Sequence, residues 1–176
     1  MSTPPSPASA DTRVEAIETA WRIHGAIGEW TARVDAKASF ALTLESAATA
    51  GIIALSADDQ MFADLHGWGV RAPLWLGTML ILIGGIFATL VVVPRLRASQ
   101  ELAVEAPSHF IYFGHLRHRE PLELATALQQ ANVLPVLSQQ LIKMSDIAWR
   151  KHRHVQWSFV CFGLGAFIVF IAGVAA

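Results

Sequence analysis

The sequence predicts an all-α membrane protein, with three transmembrane helices and a cytoplasmic helical region formed by the N-terminal helix and the loop between spans 2 and 3. Three observations predict it. Apolar residues make up 53% of the 176 and charged residues only 15%, against about 25% charged in an average soluble domain. The apolar excess is gathered into three runs, each near the 20 or so residues that a bilayer crossing takes. The Lys and Arg residues fall in segments that share one side of a membrane only if all three runs cross it.

The elements follow in order. Residues 1–11, rich in Ser, Pro and Ala, read as a disordered tail, with no apolar stretch and cleavage site of a signal peptide behind them. Residues 12–37 read as a cytoplasmic N-terminal helix. Thr12, followed three residues later by Glu15, fits a capping box. Val14, Ile17, Trp21, Ile27, Trp30 and Val34 recur at near-helical spacing. No breaker separates this pattern from the first span, residues 38–57, so one long helix is expected to run from cytosol into membrane. Gly25 and Gly28 are its weak points. Residues 58–71 form a short external loop, and residues 72–94 form the second span, which carries no charge.

The cytoplasmic region between spans 2 and 3 covers residues 95–154. Pro107 is expected to end a short helix. Residues 109–116 are aromatic, and their pattern does not choose between element types. Pro121 suits the first turn of a helix running to about Gln130. Asn132 can cap the next helix, with Pro135 tolerated in its first turn. Leu134, Leu137, Leu141, Met144 and Ala148 then repeat at spacings of 3 and 4, a stripe that requires an apolar partner. It runs unbroken into the third span, residues 155–176.

Charge sets the orientation. Arg13, Arg22, Arg33 and Lys37 precede the first span. Only Arg71, beside Asp58, Asp59 and Asp64, lies between the first and second. Arg95, Arg97, Arg117, Arg119, Lys143, Arg150, Lys151 and Arg153 lie between the second and third. The positive-inside rule therefore places the N-terminus in the cytoplasm and the C-terminus outside the cell membrane. The net charge of −1 gives no sign of a nucleic-acid partner.

Few constellations suggest chemistry. Glu45 stands seven residues into its span, roughly 10 Å deep at a helical rise of about 1.5 Å. By depth it lies level with Gly84, Gly85 and Gly163. Either it holds a pore or gating position, or it is kept neutral or hydrogen-bonded to Thr49 or a neighbouring helix. Small residues four apart, Ala47 and Gly51, Ala50 and Ala54, Gly84 and Ala88, allow close helix approach within one chain or between copies. The basic run Arg150 to His154, and the group His115, Arg117, His118 and Arg119, fit either anionic lipid heads or a phosphate-bearing ligand. Arg33, Asp35 and Lys37 fit an interfacial anchor. Cys161 is alone, and the histidines lack the partners of a metal site. Phosphate loop, nucleophile elbow, H-E-x-x-H and dinucleotide fingerprint are all missing. The expectation is a protein with no enzymatic activity, no cofactor and no metal.

Three strings resemble a known family: Val34-Asp35-Ala36-Lys37-Ala38-Ser39, Tyr112-Phe113-Gly114-His115-Leu116, and Gln140 to Arg153 with its Ser145, Ile147, Ala148 and Lys151. They are similar to signatures of the Pycsar effector membrane proteins, and the resemblance spans Trp21 to Phe170. It implies an anti-phage effector that senses a cyclic pyrimidine mononucleotide, cyclic CMP or cyclic UMP, and impairs the membrane to arrest the infected cell. Matched by motif, Asp35, Lys37, His115, Gln140, Ser145 and Lys151 are the implied ligand-binding residues, and Glu45 is the candidate for membrane function. A homo-oligomer is expected, because three helices are few to enclose a conducting path. The open alternatives are a non-catalytic subunit docking a protein partner through its cytoplasmic helices, and a ligand-independent ion or proton pathway at Glu45.

Overall fold

A computed structural model describes residues 7–57, 62, 68–94, 96–130 and 132–175, and of residues 7–10 the backbone alone. Among the described residues six helices follow one another: α1 (Pro7–Leu55), α2 (Trp68–Val92), α3 (Ser99–Glu105), α4 (Phe113–Leu116), α5 (Pro121–Gln130) and α6 (Val133–Val174). Among the described residues there is no strand. Helices α1, α2 and α6 are each long and apolar enough to cross a membrane, so the protein is an all-α membrane protein with three candidate spans.

Length alone separates these three. Helix α2 has 25 residues, about 37 Å at the α-helical rise, which matches a hydrocarbon core of about 30 Å with little to spare. Helices α1 and α6 have 49 and 42 residues. At about 74 and 63 Å they must extend well beyond the lipid. The chain divides accordingly into two compact units, residues 1–30 with 95–148, and residues 31–94 with 149–176.

The second unit holds the spans. Its buried residues are Val34, Ala38, Ala41 and Glu45 on α1; Leu74, Gly77, Ile81, Gly84, Ala88 and Val91 on α2; and Val155, Ser158, Gly165 and Ala172 on α6. Steps of 3, 4 and 7 make straight seams of the coiled-coil kind. The inward residues are mostly small, while Phe40, Trp75, Ile86 and Phe167 point outward. This distribution suits a bundle whose solvent is lipid, where close backbone approach replaces hydrophobic burial as the source of cohesion. A Cβ on Gly77 would lie 2.7 Å from the Gly165 carbonyl oxygen, and one on Gly165 would lie 2.6 Å from that of Gly77. Here α2 and α6 touch backbone to backbone. Val34, Ala38, Val91 and Val155 close one end of the seam, and Phe62, Leu74 and Ala172 close the other.

Seven hydroxyls in the spans are satisfied within their own helices. Ser39, Thr43, Ser46, Thr49, Ser56, Thr78 and Thr89 each donate to the carbonyl four residues earlier, at 2.7–3.0 Å. In lipid, where no water can take the proton, this is the cheapest solution.

The first unit is built on the non-membrane halves of α1 and α6 with α3–α5. Leu102, Ala106, Phe110 and Leu137 are buried there, as are Ala20 and Ile27 of α1. The Leu134 to Ala148 stripe faces into this unit: Leu137 and Ala148 are buried and Leu134, Leu141 and Met144 half-buried.

Several expectations are corrected. Helix α1 begins at Pro7 rather than Thr12, so residues 7–11 of the expected tail are helical and Thr12 is not a cap. Proline has no N–H to lose in a first turn, and Ala8, Ser9 and Ala10 offer no stop. Helix α2 begins at Trp68, within the stretch read as external loop, and carries Pro73 in its second turn. Gly25 and Gly28 leave α1 unbroken. Residues 1–6 of the tail, Arg95, and Asp58, Asp59 and Asp64 of the loop lie outside the described residues.

The contact between Gly77 and Gly165 predicts a local asymmetry. Gly77→Val should lower the unfolding temperature of the detergent-purified protein, by about 1–3 kcal/mol of overpacking. Gly25→Ala should raise it by roughly 0.5–1 kcal/mol, since a Cβ there meets nothing within 4 Å and alanine is the better helix former. Equal effects in the two variants would contradict the seam.

Candidate functional site

Three polar clusters stand out, one inside the span bundle and two outside its apolar stretch. The first joins all three spans. Glu45 on α1 is 3% exposed. Its Oε1 accepts a hydrogen bond of 2.9 Å from the Ser158 hydroxyl of α6. A Cβ on Gly84 of α2 would come within 2.6 Å of that Oε1, so only glycine leaves room for the carboxyl. Ser158 alone among these span hydroxyls donates to a side chain and not to its own helix. Glu45 Oε2 is buried without a hydrogen-bond partner. A carboxylate at this depth costs about 2.5–3.5 kcal/mol on insertion scales, which makes such a residue a functional candidate by default. Thr49 spends its hydroxyl on the Glu45 carbonyl and leaves the carboxyl to Ser158. Gly163, expected level with Glu45, has nothing within 4 Å of its Cβ position; Ser158 occupies that role.

The second cluster lies one helical turn outside the apolar stretch of the same unit. Lys151 Nζ of α6 donates to Asp35 Oδ1 of α1 at 2.6 Å. The two are 116 positions apart in sequence. The pair is partly shielded, with side chains 24% and 40% exposed. Close by along α6, the His154 ring stacks on Phe87 of α2 at 6.0 Å. Lys37 is exposed.

The third cluster belongs to the other unit and centres on Glu105, the last residue of α3. Both of its oxygens accept from Arg97 at 2.8 Å, the bidentate geometry that favours arginine. Lys143 of α6 stands 3.7 Å away. His115 of α4 meets Glu105 Oε2 through Nε2 at 3.1 Å. A carboxylate partner fixes the proton on Nε2, which leaves Nδ1, buried and without a partner, as the bare nitrogen. His109 links the same segment to α6 through Gln139 at 2.7 Å. Tyr112 sits edge-on to the His115 ring at 5.5 Å. Arg119 turns inward instead: it donates to the Ala106 and Pro107 carbonyls and lies over Phe110. His118 is within 3.4 Å of the Ser99 hydroxyl.

The six motif-matched residues therefore do not form one constellation. Asp35 and Lys151 meet, with Lys37 on the same helix as Asp35. His115 sits in the Glu105 cluster. Gln140 is half-buried on α6, and Ser145 is exposed with its hydroxyl on the Ile142 carbonyl. Sequence reasoning missed Arg97, Glu105, His109, Gln139, Lys143 and Ser158. Two signals were available. Arg97, Glu101 and Glu105 are spaced four apart, as on one helical face, and Ser158 is the single hydroxyl of the third apolar run.

The Glu105 cluster makes stability depend on pH. The Arg97 guanidinium, first of all, holds the Glu105 carboxyl well below its ordinary range, helped by His115 and Lys143. Burial pushes the His115 imidazole down, against the upward pull of its bond to Glu105. Both groups bind fewer protons folded than unfolded, so stability is lost on acidification. The His115 share fades as pH falls below about 6.5, and the Glu105 share below about 4.3, their unfolded values. The unfolding temperature should therefore drop between pH 7.5 and 5.5 in the wild type and much less in His115→Gln. An unchanged slope in that variant would contradict the assignment.

No curated protein and no solved structure matches the chain. Residues 19–176 match the Pycsar effector protein domain, a stretch that takes in every residue of the three clusters. The chain thus belongs to the Pycsar effector family, as a membrane protein with an anti-phage effector role.

Proposed function

We propose that this effector is switched on by a cyclic pyrimidine mononucleotide, cyclic CMP or cyclic UMP, and that it then impairs the cell membrane and arrests the infected cell without catalysing a reaction. The observation that carries the reading is the Asp35–Lys151 pair. It is an ion pair that joins the first and last long helices just outside their apolar stretches. A phosphate monoanion competing for Lys151 breaks that clasp, and a ligand shifts a two-state packing by binding one state better. Small residues on the outer face of α1, Ala47, Gly51, Ala50 and Ala54, are exposed and suit contact between copies in a homo-oligomer. The N-terminus is cytoplasmic and the C-terminus external in this reading, following the K/R bias.

A second reading, a non-catalytic subunit that docks a protein partner, rests on α5. None of its residues is buried, and Leu122 and Leu128 are 80% and 56% exposed. The Leu134 to Ala148 stripe does not serve this purpose, because it faces its own unit.

The detergent-solubilised protein should gain thermal stability with cyclic CMP or cyclic UMP and with no cyclic dinucleotide, by about 2.7 kcal/mol at a hundred times the dissociation constant. Asp35→Ala and Lys151→Ala should still insert and lose nucleotide-dependent toxicity. No shift with any nucleotide in folded protein, together with co-purification of a partner that Leu122→Glu abolishes, would favour docking. Orientation has its own test. A reporter fused after Ala176 should read as external, and a cytoplasmic reading would contradict the orientation taken from the K/R bias.

A further inference from the structure

The Glu45 site holds more chemistry than packing requires. Ser39, Thr43, Ser46, Thr49, Ser56, Thr78 and Thr89 are each turned back on their own helix. Ser158 is turned on Glu45 instead, and Gly84 provides a notch into which the carboxyl fits with no room for a methyl group. One residue from each span thus meets around a single carboxyl, half of which is satisfied and half of which, Oε2, has no partner. A glutamine or threonine at this position could hydrogen-bond Ser158 equally well without carrying a charge. What a glutamate adds is an ionisable carboxyl, and the packing seen here buries it, 3% exposed.

We propose that Glu45 is the cation-selecting residue of the path through which this effector depolarises the membrane, latched in the closed packing by Ser158 and the Gly84 notch. The proposal rests on the membrane-impairing reading and adds what passes. A water-filled path along this seam can open only if α2 or α6 draws away from α1, and that movement frees the carboxyl from Ser158 and from the notch. Glu45 then lines the path. An acidic side chain at a narrow wet passage draws cations in and excludes anions. With several copies around one path the carboxyls form a ring, which removes the difficulty that three helices enclose too little space. The ligand class is a monovalent cation, with potassium and sodium available on the two sides of a cell membrane. The same geometry makes Gly84→Ala a latch-breaking variant: its methyl group would stand 2.6 Å from Oε1 and crowd the carboxyl off Ser158.

The experiment is reversal potential in planar bilayers under asymmetric KCl, with the full-length protein and saturating cyclic CMP or cyclic UMP. The expected wild-type K+/Cl− permeability ratio is about ten or more, the scale on which a charged constriction enriches counter-ions. Glu45→Gln should conduct with a ratio near one, and Glu45→Lys should prefer chloride. Gly84→Ala, or Ser158→Ala where the former does not insert, should conduct selectively without nucleotide. A wild-type ratio near one overturns the proposal, as does a Glu45→Gln ratio equal to the wild type. Silence of the wild type with both nucleotides, with cation-selective current in Gly84→Ala or Ser158→Ala, would overturn the nucleotide reading and support Glu45. Silence of wild type and latch variants alike overturns the assignment.

Discussion

A carboxyl inside the apolar stretch of a span must find a partner, and that requirement fixes much of the bundle. Glu45 reaches Ser158 only if α1 and α6 face one another at that level, and it fits beside α2 only where the facing residue is glycine. One hydrogen bond thereby sets the rotation of three helices together. The rest of the seam follows from it. Once α1 is turned to aim Glu45 inward, Val34, Ala38 and Ala41, which stand four and three residues apart along the same face, also turn inward. Gly77 and Gly165 then bring α2 and α6 into backbone contact. The large side chains are left for the lipid, which can solvate them as well as any protein interior.

Outside the apolar stretch the governing force changes. The Glu105 cluster gathers Arg97, Lys143 and His115 on one carboxylate, and so ties α3 and α4 to α6 by charge-assisted bonds. Such bonds are worth little on an exposed surface, but bidentate geometry and a shared acceptor make them additive in direction. Its buried histidine makes the cluster sensitive to acidification just below neutral pH. The Asp35–Lys151 pair is of another kind, a direct ion pair between the two long helices. With its side chains 24% and 40% exposed, the pair is within reach of a competing anion, whereas the Glu105 carboxylate already has both oxygens on Arg97.

The sequence made the spans legible because hydropathy and charge asymmetry act over twenty residues, and local errors average out. The same was true of α5 and α6, where Pro121 and Asn132 mark starts by backbone chemistry that acts locally. The start of α1 was not legible. Thr12 and Glu15 have the composition of a capping box, but a composition signal cannot show that the helix has already begun five residues earlier at a proline. The site was legible in part. Glu45 declares itself by its cost, and Asp35 and Lys151 by their resemblance to a family pattern. Their pairing, and the choice of Ser158 over Thr49 or Gly163, depend on helix rotation, which one chain's periodicity does not settle across a 116-residue separation. Arg97 and Glu105 were missed because Arg97 stands before α3 begins, where a four-residue spacing no longer guarantees a shared face.

The central claim is that Glu45 and Ser158 hold the spans together through one bond. A double-mutant cycle tests it most directly, with Glu45→Leu and Ser158→Ala measured singly and together by reversible unfolding in detergent. Hydrogen bonds between membrane helices couple by about 0.6 kcal/mol on average and up to about 1.7. The account predicts a favourable coupling within that range, with Ser158→Ala costing stability only while Glu45 is present. A Ser158→Ala effect that is the same in both backgrounds would contradict it.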